Sequence, residues 1–258
     1  MSFERTHAVG VPLTVLPHTG STNADLLARA ADAAHLTTIA TLDQRSGRGR
    51  LDRAWVAPAG QALAVSVLVR ADLDPVARGW LPLAAGTAMR DAIAAVLPDP
   101  DAVGVKWPND VLVGPDGRKV CGILAQVAAD GSVVVGAGVN LTVPAPALPT
   151  ATSTSLAVAG AHGDADALAD AVLAGFWVGF REAVAALARS GAAARSVRQA
   201  VRTACATIGR EVRLDLPDGS TVVGEAVGID DEARLQFRNG TGAVTAISVG
   251  DVTHLRYA

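Results

Sequence analysis

Between residues 103 and 141 the chain alternates apolar runs with breaks too short for anything but tight turns. VGVKW, DVLV, RKVCGILAQV and SVVVGAGVNL are separated only by PN, GPDG and AADG. Breaks of that length join antiparallel neighbours, whereas a parallel pair needs a crossover of a dozen or more residues. Pro115, Asp116 and Gly117 supply turn chemistry at the middle break, and Asp130 and Gly131 at the last. A largely antiparallel sheet is the first expectation for this chain.

Other segments fill in around it. VPLTVL (11–16), TTIATLDQ (37–44) and ALAVSVLV (62–69) read as strands. Thr22 to Asp25 carries a capping-box pattern, so a helix starts near residue 22. An Ala-rich helix is expected near 78–96, ending before Pro98, and two more at 164–189 and 192–206. From Arg210 the pattern becomes short strands with PDGS and NGTG turns. The reading is an α+β protein with a mixed, largely antiparallel sheet and helices, followed by a small all-β module of about 50 residues. The boundary is placed near 207, giving units 1–206 and 207–258.

Composition narrows the class. Hydrophobic residues make up 50% of the chain but aromatics only 3%, so Ala, Val and Leu must build the core. The net charge is −3, which does not favour a nucleic-acid footprint. No signal peptide and no charge-free membrane span is visible. Cys121 and Cys205 lie far apart and outside any CxxC pair, and the five histidines form no ligand-spaced pair. A cytoplasmic protein is the simplest expectation. Walker A, Rossmann and nucleophile-elbow signatures are all missing: Gly47-x-Gly49 and Gly136-x-Gly138 both lack the third glycine.

Of 22 basic residues only Lys106 and Lys119 are lysines. A lysine is a compact point donor that arginine's planar fork does not replace. Arg48, Arg50 and Arg53 crowd the loop SGRGRLDRAW, where they repel one another unless an anion arrives. That loop lacks periodicity and either orders over an anionic ligand or is simply solvated. In KWPND, Pro108 makes Trp107 extended, and Asn109 and Asp110 open a turn. Asp110 can pair with Lys106 or hold a hard cation such as Mg²⁺. Lys119 at the mouth of an apolar strand needs an anionic partner, or else is an edge lysine that blocks sheet pairing. Gly122 within that strand suggests close approach of a ligand or backbone. Ser21, Thr22 and Asn23 are a helix cap, or ligand groups at a helix N-terminus. Gln44 and Asn140 each end a strand, as pocket residues or ordinary strand caps. Cys121 reads as core rather than nucleophile.

In order and spacing these segments resemble the biotin protein ligases, the biotin–[acetyl-CoA-carboxylase] ligases. The resemblance rests on Ser21-Thr22-Asn23, on Gln44 then GRGR at 47–50 with Trp55, on KWPND at 106–110, on Lys119 in KVCGIL, and on GAGVNL at 136–141. It covers most of residues 12–200. It implies a catalytic domain related to class II aminoacyl-tRNA synthetases, followed by an SH3-like barrel. It implies a two-step reaction. The carboxylate of biotin attacks the α-phosphorus of MgATP, and the resulting biotinyl-5′-AMP then acylates a lysine of a biotin carboxyl carrier domain.

By position, the resemblance implies that Ser21, Thr22, Asn23, Gln44, Arg48, Gly49, Arg50 and Lys119 contact biotin or its adenylate. Lys119 and Arg50 would do the chemistry. Arg53, Trp55, Lys106, Asn109, Gly122 and Asn140 are further candidates, and Asp110 is the candidate Mg²⁺ ligand. The chain departs from many relatives at Gln126, where they carry an acid, and at Leu51-Asp52 after GRGR. With about ten residues ahead of the first strand there is no room for a helix-turn-helix domain, so a ligase that does not bind DNA is expected. Lipoate protein ligases share the adenylation chemistry, but their Gly-rich pocket signature is missing. Monomer and homodimer both stay open.

Overall fold

The computed structural model of the protein describes residues 3–50, 53–216, 219–248 and 251–254. After a short helix α1 (Glu4–Ala8) come β1 (Leu13–Val15), α2 (Thr22–Ala28), β2 (Thr38–Thr41), β3 (Gly47–Arg48), β4 (Ala54–Trp55) and β5 (Ala62–Val69). Helices α3 (Pro75–Gly79) and α4 (Leu81–Ala94) precede β6 (Val103–Lys106), β7 (Asp110–Val113), β8 (Arg118–Val127) and β9 (Val133–Asn140). The expected antiparallel run is there: β6 to β9 form one side of a seven-stranded sheet of order β1-β2-β5-β9-β8-β7-β6. Only the β1–β2 pair is parallel.

Two local expectations need correction. The single helix expected near 78–96 is two, joined at Trp80. Asp74 caps the first through Ala77 N–H at 2.7 Å, and Pro82 sits in the first turn of the second, where a missing N–H costs nothing. The Gly/Arg loop is not structureless either. Gly47 pairs with Trp55 and Arg48 with Ala54 in a two-stranded ribbon. Leu51 and Asp52 lie outside the described residues.

Strand alternation sorts the sheet into two faces. Ala40, Val65 and Val67 join α4 and helix α5 (Ala165–Arg189) in the main core, while Ile39, Leu68 and Val134 pack with Leu26 of α2. Phe176 and Phe180 of α5 are fully buried and stack 5.5 Å apart. Helix α5 is the one described helix long and apolar enough to cross a membrane by length and composition; here its apolar side lies in the core. Its Asp170, 7% exposed, accepts the backbone N–H of Arg5 and Thr6, both at 2.9 Å, and the Thr6 hydroxyl at 2.7 Å. Burial alone would raise this carboxyl, but those donors outweigh it and hold its pKa below the ordinary value.

Helix α6 (Gly191–Ala204) leads into β10 (Glu211–Asp215), β11 (Thr221–Ile229), β12 (Leu235–Asn239), β13 (Val244–Ile247) and β14 (Asp251–His254). These form an antiparallel sheet of order β13-β12-β11-β10-β14. Its core is continuous with that of the larger unit: Val212, Leu214, Leu235 and Phe237 share one cluster with Trp80 and Trp107. Both indoles reach the β11–β12 turn, Trp80 Nε1 donating to Asp231 O at 2.9 Å and Trp107 Nε1 to Ala233 O at 3.1 Å.

Candidate active site

The pocket floor is a patch of the sheet with small side chains, or none, at all but one position. Ser66, Gly136 and Leu124 lie side by side across β5, β9 and β8, and Ala64, Gly138 and Gly122 form the next row. A Cβ on Gly136 would collide with the Asn23 amide, and one on Gly138 would stand 2.6 Å from the Trp55 ring. The two glycines therefore clear room for side chains that arrive from outside the sheet. Above them is a cavity of about 400 Å³.

Ser21 is the N-cap of α2, accepting Ala24 N–H at 3.4 Å. Asp25 does not complete the expected capping box; it accepts the Thr19 hydroxyl at 2.5 Å. Thr22 and Asn23 are thereby left to face the pocket. Gln44 Oε1 accepts the backbone N–H of Thr22 at 2.8 Å and its hydroxyl at 3.2 Å. The Ser66 hydroxyl lies 2.8 Å from Thr22 Oγ1 and 2.6 Å from Asn23 Oδ1. Asn23 Nδ2 donates to Gln126 Oε1 at 2.8 Å. Gln126 thus offers the same acceptor as an acid, without the charge.

Trp55 closes one side. Its ring lies over Gly138 and next to Gly47, so the ribbon that carries Arg48 and Arg50 is anchored by an aromatic ring. Gly49 N–H donates to Arg53 O at 2.7 Å, and Arg50 Nη1 donates to Asn109 Oδ1 at 3.1 Å. Asn109 in turn is fixed to β8: its Nδ2 donates to Ile123 O at 3.0 Å, and its own carbonyl accepts Ile123 N–H at 2.8 Å.

Lys119 owes its direction to a bulge. Val111 pairs with Cys121 but Leu112 pairs with Lys119, leaving Val120 as the extra residue on β8; a bulge of this kind bends the strand and re-aims its side chains. On the side away from β7, Lys119 N–H donates to Thr152 O and Thr154 N–H donates to Lys119 O, both at 2.8 Å, so Lys119 is not an edge lysine. Its Nζ stands 2.6 Å from Asp110 Oδ1 as an ion pair, although that buried oxygen has no well-aligned hydrogen-bond donor. Asp110 therefore has Lys119 as an ion partner; Lys106, the expected one, lies directly across the β6–β7 ladder. Gly122 has its explanation too: a Cβ there would sit 3.1 Å from Lys119 Nζ. The close approach is by the lysine stem.

All fourteen residues expected in the site line this one cavity, and so does Asp110. Arg48, Arg50, Arg53, Lys106 and Lys119 face it against a single described carboxylate, Asp110. In a chain of net charge −3 this is a concentrated cationic wall, suited to an anion. Asn140 is 7% exposed and donates to Thr154 O at 2.9 Å, tying the end of β9 to the 150s segment. Cys121 is buried, and burial pushes its thiol far above the ordinary range, with Lys119's charge only partly offsetting it, an environment that disfavours the thiolate.

The sequence reading missed Ser66, Gly136 and Gly138. Period-two alternation in VVVGAGVN puts both glycines on one face, and that signal was available. Val252, from β14, also lines the pocket, and no local signal marks it.

Residues 15–141 match the Biotin/lipoate A/B protein ligase family and residues 207–255 the Biotin protein ligase C terminal domain. The biotin–[acetyl-CoA-carboxylase] ligase of Mycobacterium tuberculosis is 43% identical over 248 residues, covering 95% of this chain and 89% of that one. That of Paracoccus denitrificans is 37% identical over 49% of this chain and 53% of its own. In fold, the chain is similar to the biotin protein ligase from Aquifex aeolicus in complex with biotin and ATP, with a TM-score of 0.72, 22% identity and coverage of 95% and 99%. With a near full-length relative at this identity, both segments matched and the same architecture, the chain belongs to the biotin protein ligase family.

Proposed function

We propose that this chain joins biotin to ATP as biotinyl-5′-AMP, releasing pyrophosphate, and then transfers the biotinyl group to a lysine of a biotin carboxyl carrier domain. The observation that carries this reading is the cationic wall of Arg48, Arg50, Arg53, Lys106 and Lys119 over a floor cleared by Gly136 and Gly138. In this reading residues 1–206 hold the chemistry and 207–258 complete the pocket rim through Val252.

Carboxylate attack on a phosphate brings two anions together, and charge accumulates between them. Fixed cations where that charge develops are the main lever available to a protein. Lys119, a point donor held at the wall by Asp110, reaches the carboxylate and α-phosphate oxygens. Arg50, set by Asn109, covers the neighbouring oxygens. The Thr22, Asn23, Ser66 and Gln44 groups suit a polar ureido head, and the glycine and alanine rows suit a flat fused ring and its chain. The mixed anhydride is destroyed by water, so the ribbon carrying Arg48 and Arg50 also serves as a cover.

ATP brings Mg²⁺ with its phosphates. Mg²⁺ retains several waters and needs only one or two carboxylates. Asp110, with its buried, poorly donated Oδ1, fits that role where its pairing with Lys119 leaves a lone pair open.

Pyrophosphate release with MgATP and either biotin or lipoate, followed by the mass of an added carrier domain, tests the reading. Biotin-dependent release and a single biotinyl increment are expected. Release with lipoate alone would reassign the substrate, and release with neither would leave a binding module.

A further inference from the structure

We propose that a second cavity, lined by the two arginines that stand over Trp80, Arg198 and Arg202, binds a small oxyanion. It has a volume of about 410 Å³ and lies where α3, the α5–α6 junction and the turn after β11 meet. Arg195, Arg198, Gln199 and Arg202 face it from α6, at the spacing that puts residues on one helical face.

The charges do not balance inside it. Two carboxylates line it, Asp74 and Asp231. Asp231 is matched by Arg202, whose Nη2 donates to it at 2.8 Å while Nε donates to Ile229 O at 2.8 Å. Asp74 already caps α3. Arg195 and Arg198 have no carboxylate at ion-pair distance among the described residues. The guanidiniums of Arg198 and Arg202 stand 5.7 and 5.3 Å from the same Trp80 ring, which holds two like charges side by side.

Arg198 carries the second, independent signal. Its Nε is buried and has no acceptor among the described residues. A buried donor left unmade costs stability; the side chain that carries it lines the cavity, where phosphate or carboxylate oxygens are the natural partners of a guanidinium. Helix α6 begins at the same cavity, with no side-chain cap and no acidic residue in its first turn, so its dipole adds to the attraction. The ligand class is a small phosphate- or carboxylate-bearing molecule. Because the turn of residues 230–234 belongs to the C-terminal unit, such a ligand would also bind the two units together.

Calorimetric titration with inorganic phosphate, and in parallel with citrate, at constant ionic strength tests this. Wild type is expected to bind at least one of them saturably, with one binding event per chain that depends on Arg195. Arg195→Gln and Arg198→Gln should each weaken this binding about tenfold or more, and the Arg195-dependent binding should persist in an Arg50→Gly background, where the main pocket has lost a cation. Arg195 is exposed, so Arg195→Gln keeps the test valid even if Arg198→Gln misfolds. Absence of saturable binding of either anion, or equal binding by wild type and Arg195→Gln, would overturn the proposal. Binding lost only in Arg50→Gly would do so too, since it would locate the anion in the main pocket.

Discussion

Lys119 Nζ and Asp110 Oδ1 stand 2.6 Å apart across the β7–β8 ladder, with the lysine 41% and the carboxylate 16% exposed. With the lysine end open to solvent the pair contributes little to folding, roughly 1 kcal/mol or less, but it fixes where the cation points. Asp110→Asn should therefore leave the thermal midpoint within a few degrees of wild type and slow adenylate formation by about tenfold or more. A large loss of stability with an unchanged rate would contradict a positioning role.

Arg50 is held over the pocket by Asn109. Arg50→Gly removes both a cation and part of the cover, so biotinyl-AMP should escape. The readout is biotin on lysines of a bystander protein with no carrier domain present. Labelling should rise several-fold over wild type. Full adenylate formation with no bystander labelling would count against the ribbon as a cover.

Gly136 faces Asn23 so closely that any Cβ must displace the amide. Overpacking of this kind costs about 1–3 kcal/mol, and here it falls on a side chain that donates to Gln126 and accepts from Ser66. Gly136→Ala should raise the KM for biotin by about tenfold while kcat and the KM for ATP change little. An equal rise for both substrates would place Asn23 outside the biotin subsite.

Acid should loosen the N-terminus first. Asp170 has a pKa below its ordinary value because Arg5, Thr6 and the Thr6 hydroxyl donate to it. A depressed carboxyl contributes stability that is present above its unfolded pKa, near 4, and is lost as pH falls through the lower folded value. Asp170→Asn should lower stability at pH 7 by about 2–4 kcal/mol, as for charged hydrogen bonds left unmade, and the gap should close below pH 4. A gap that stays constant from pH 7 to pH 3 would show that the charge is irrelevant.

The strands of the sheet were legible because turn chemistry and apolar runs are local. Among the residues that line the pocket, the two lysines, the arginine loop and KWPND stand out against an Ala-rich background, whereas Ser21, Thr22, Asn23, Gln44 and Asn140 are ambiguous as local sequence and enter only through the resemblance. Three features were not legible. The β3–β4 ribbon depends on Trp55 landing on Gly138, a contact between distant residues. The true partner of Lys119 depends on the bulge at Val120. The contribution of Val252 depends on how the C-terminal sheet docks through Trp80 and Trp107. Each is a tertiary fact that no window of sequence contains.

In the proposed function this pocket activates a carboxylate as an acyl-adenylate, and Lys119 carries the charge. Biotin-dependent exchange of labelled pyrophosphate into ATP, with no acceptor protein present, tests this most directly. Wild type should exchange only when biotin is added, and Lys119→Ala should fall by about 10²-fold or more with its thermal midpoint preserved. Exchange that does not need biotin, or an undiminished rate in a folded Lys119→Ala, would contradict the account.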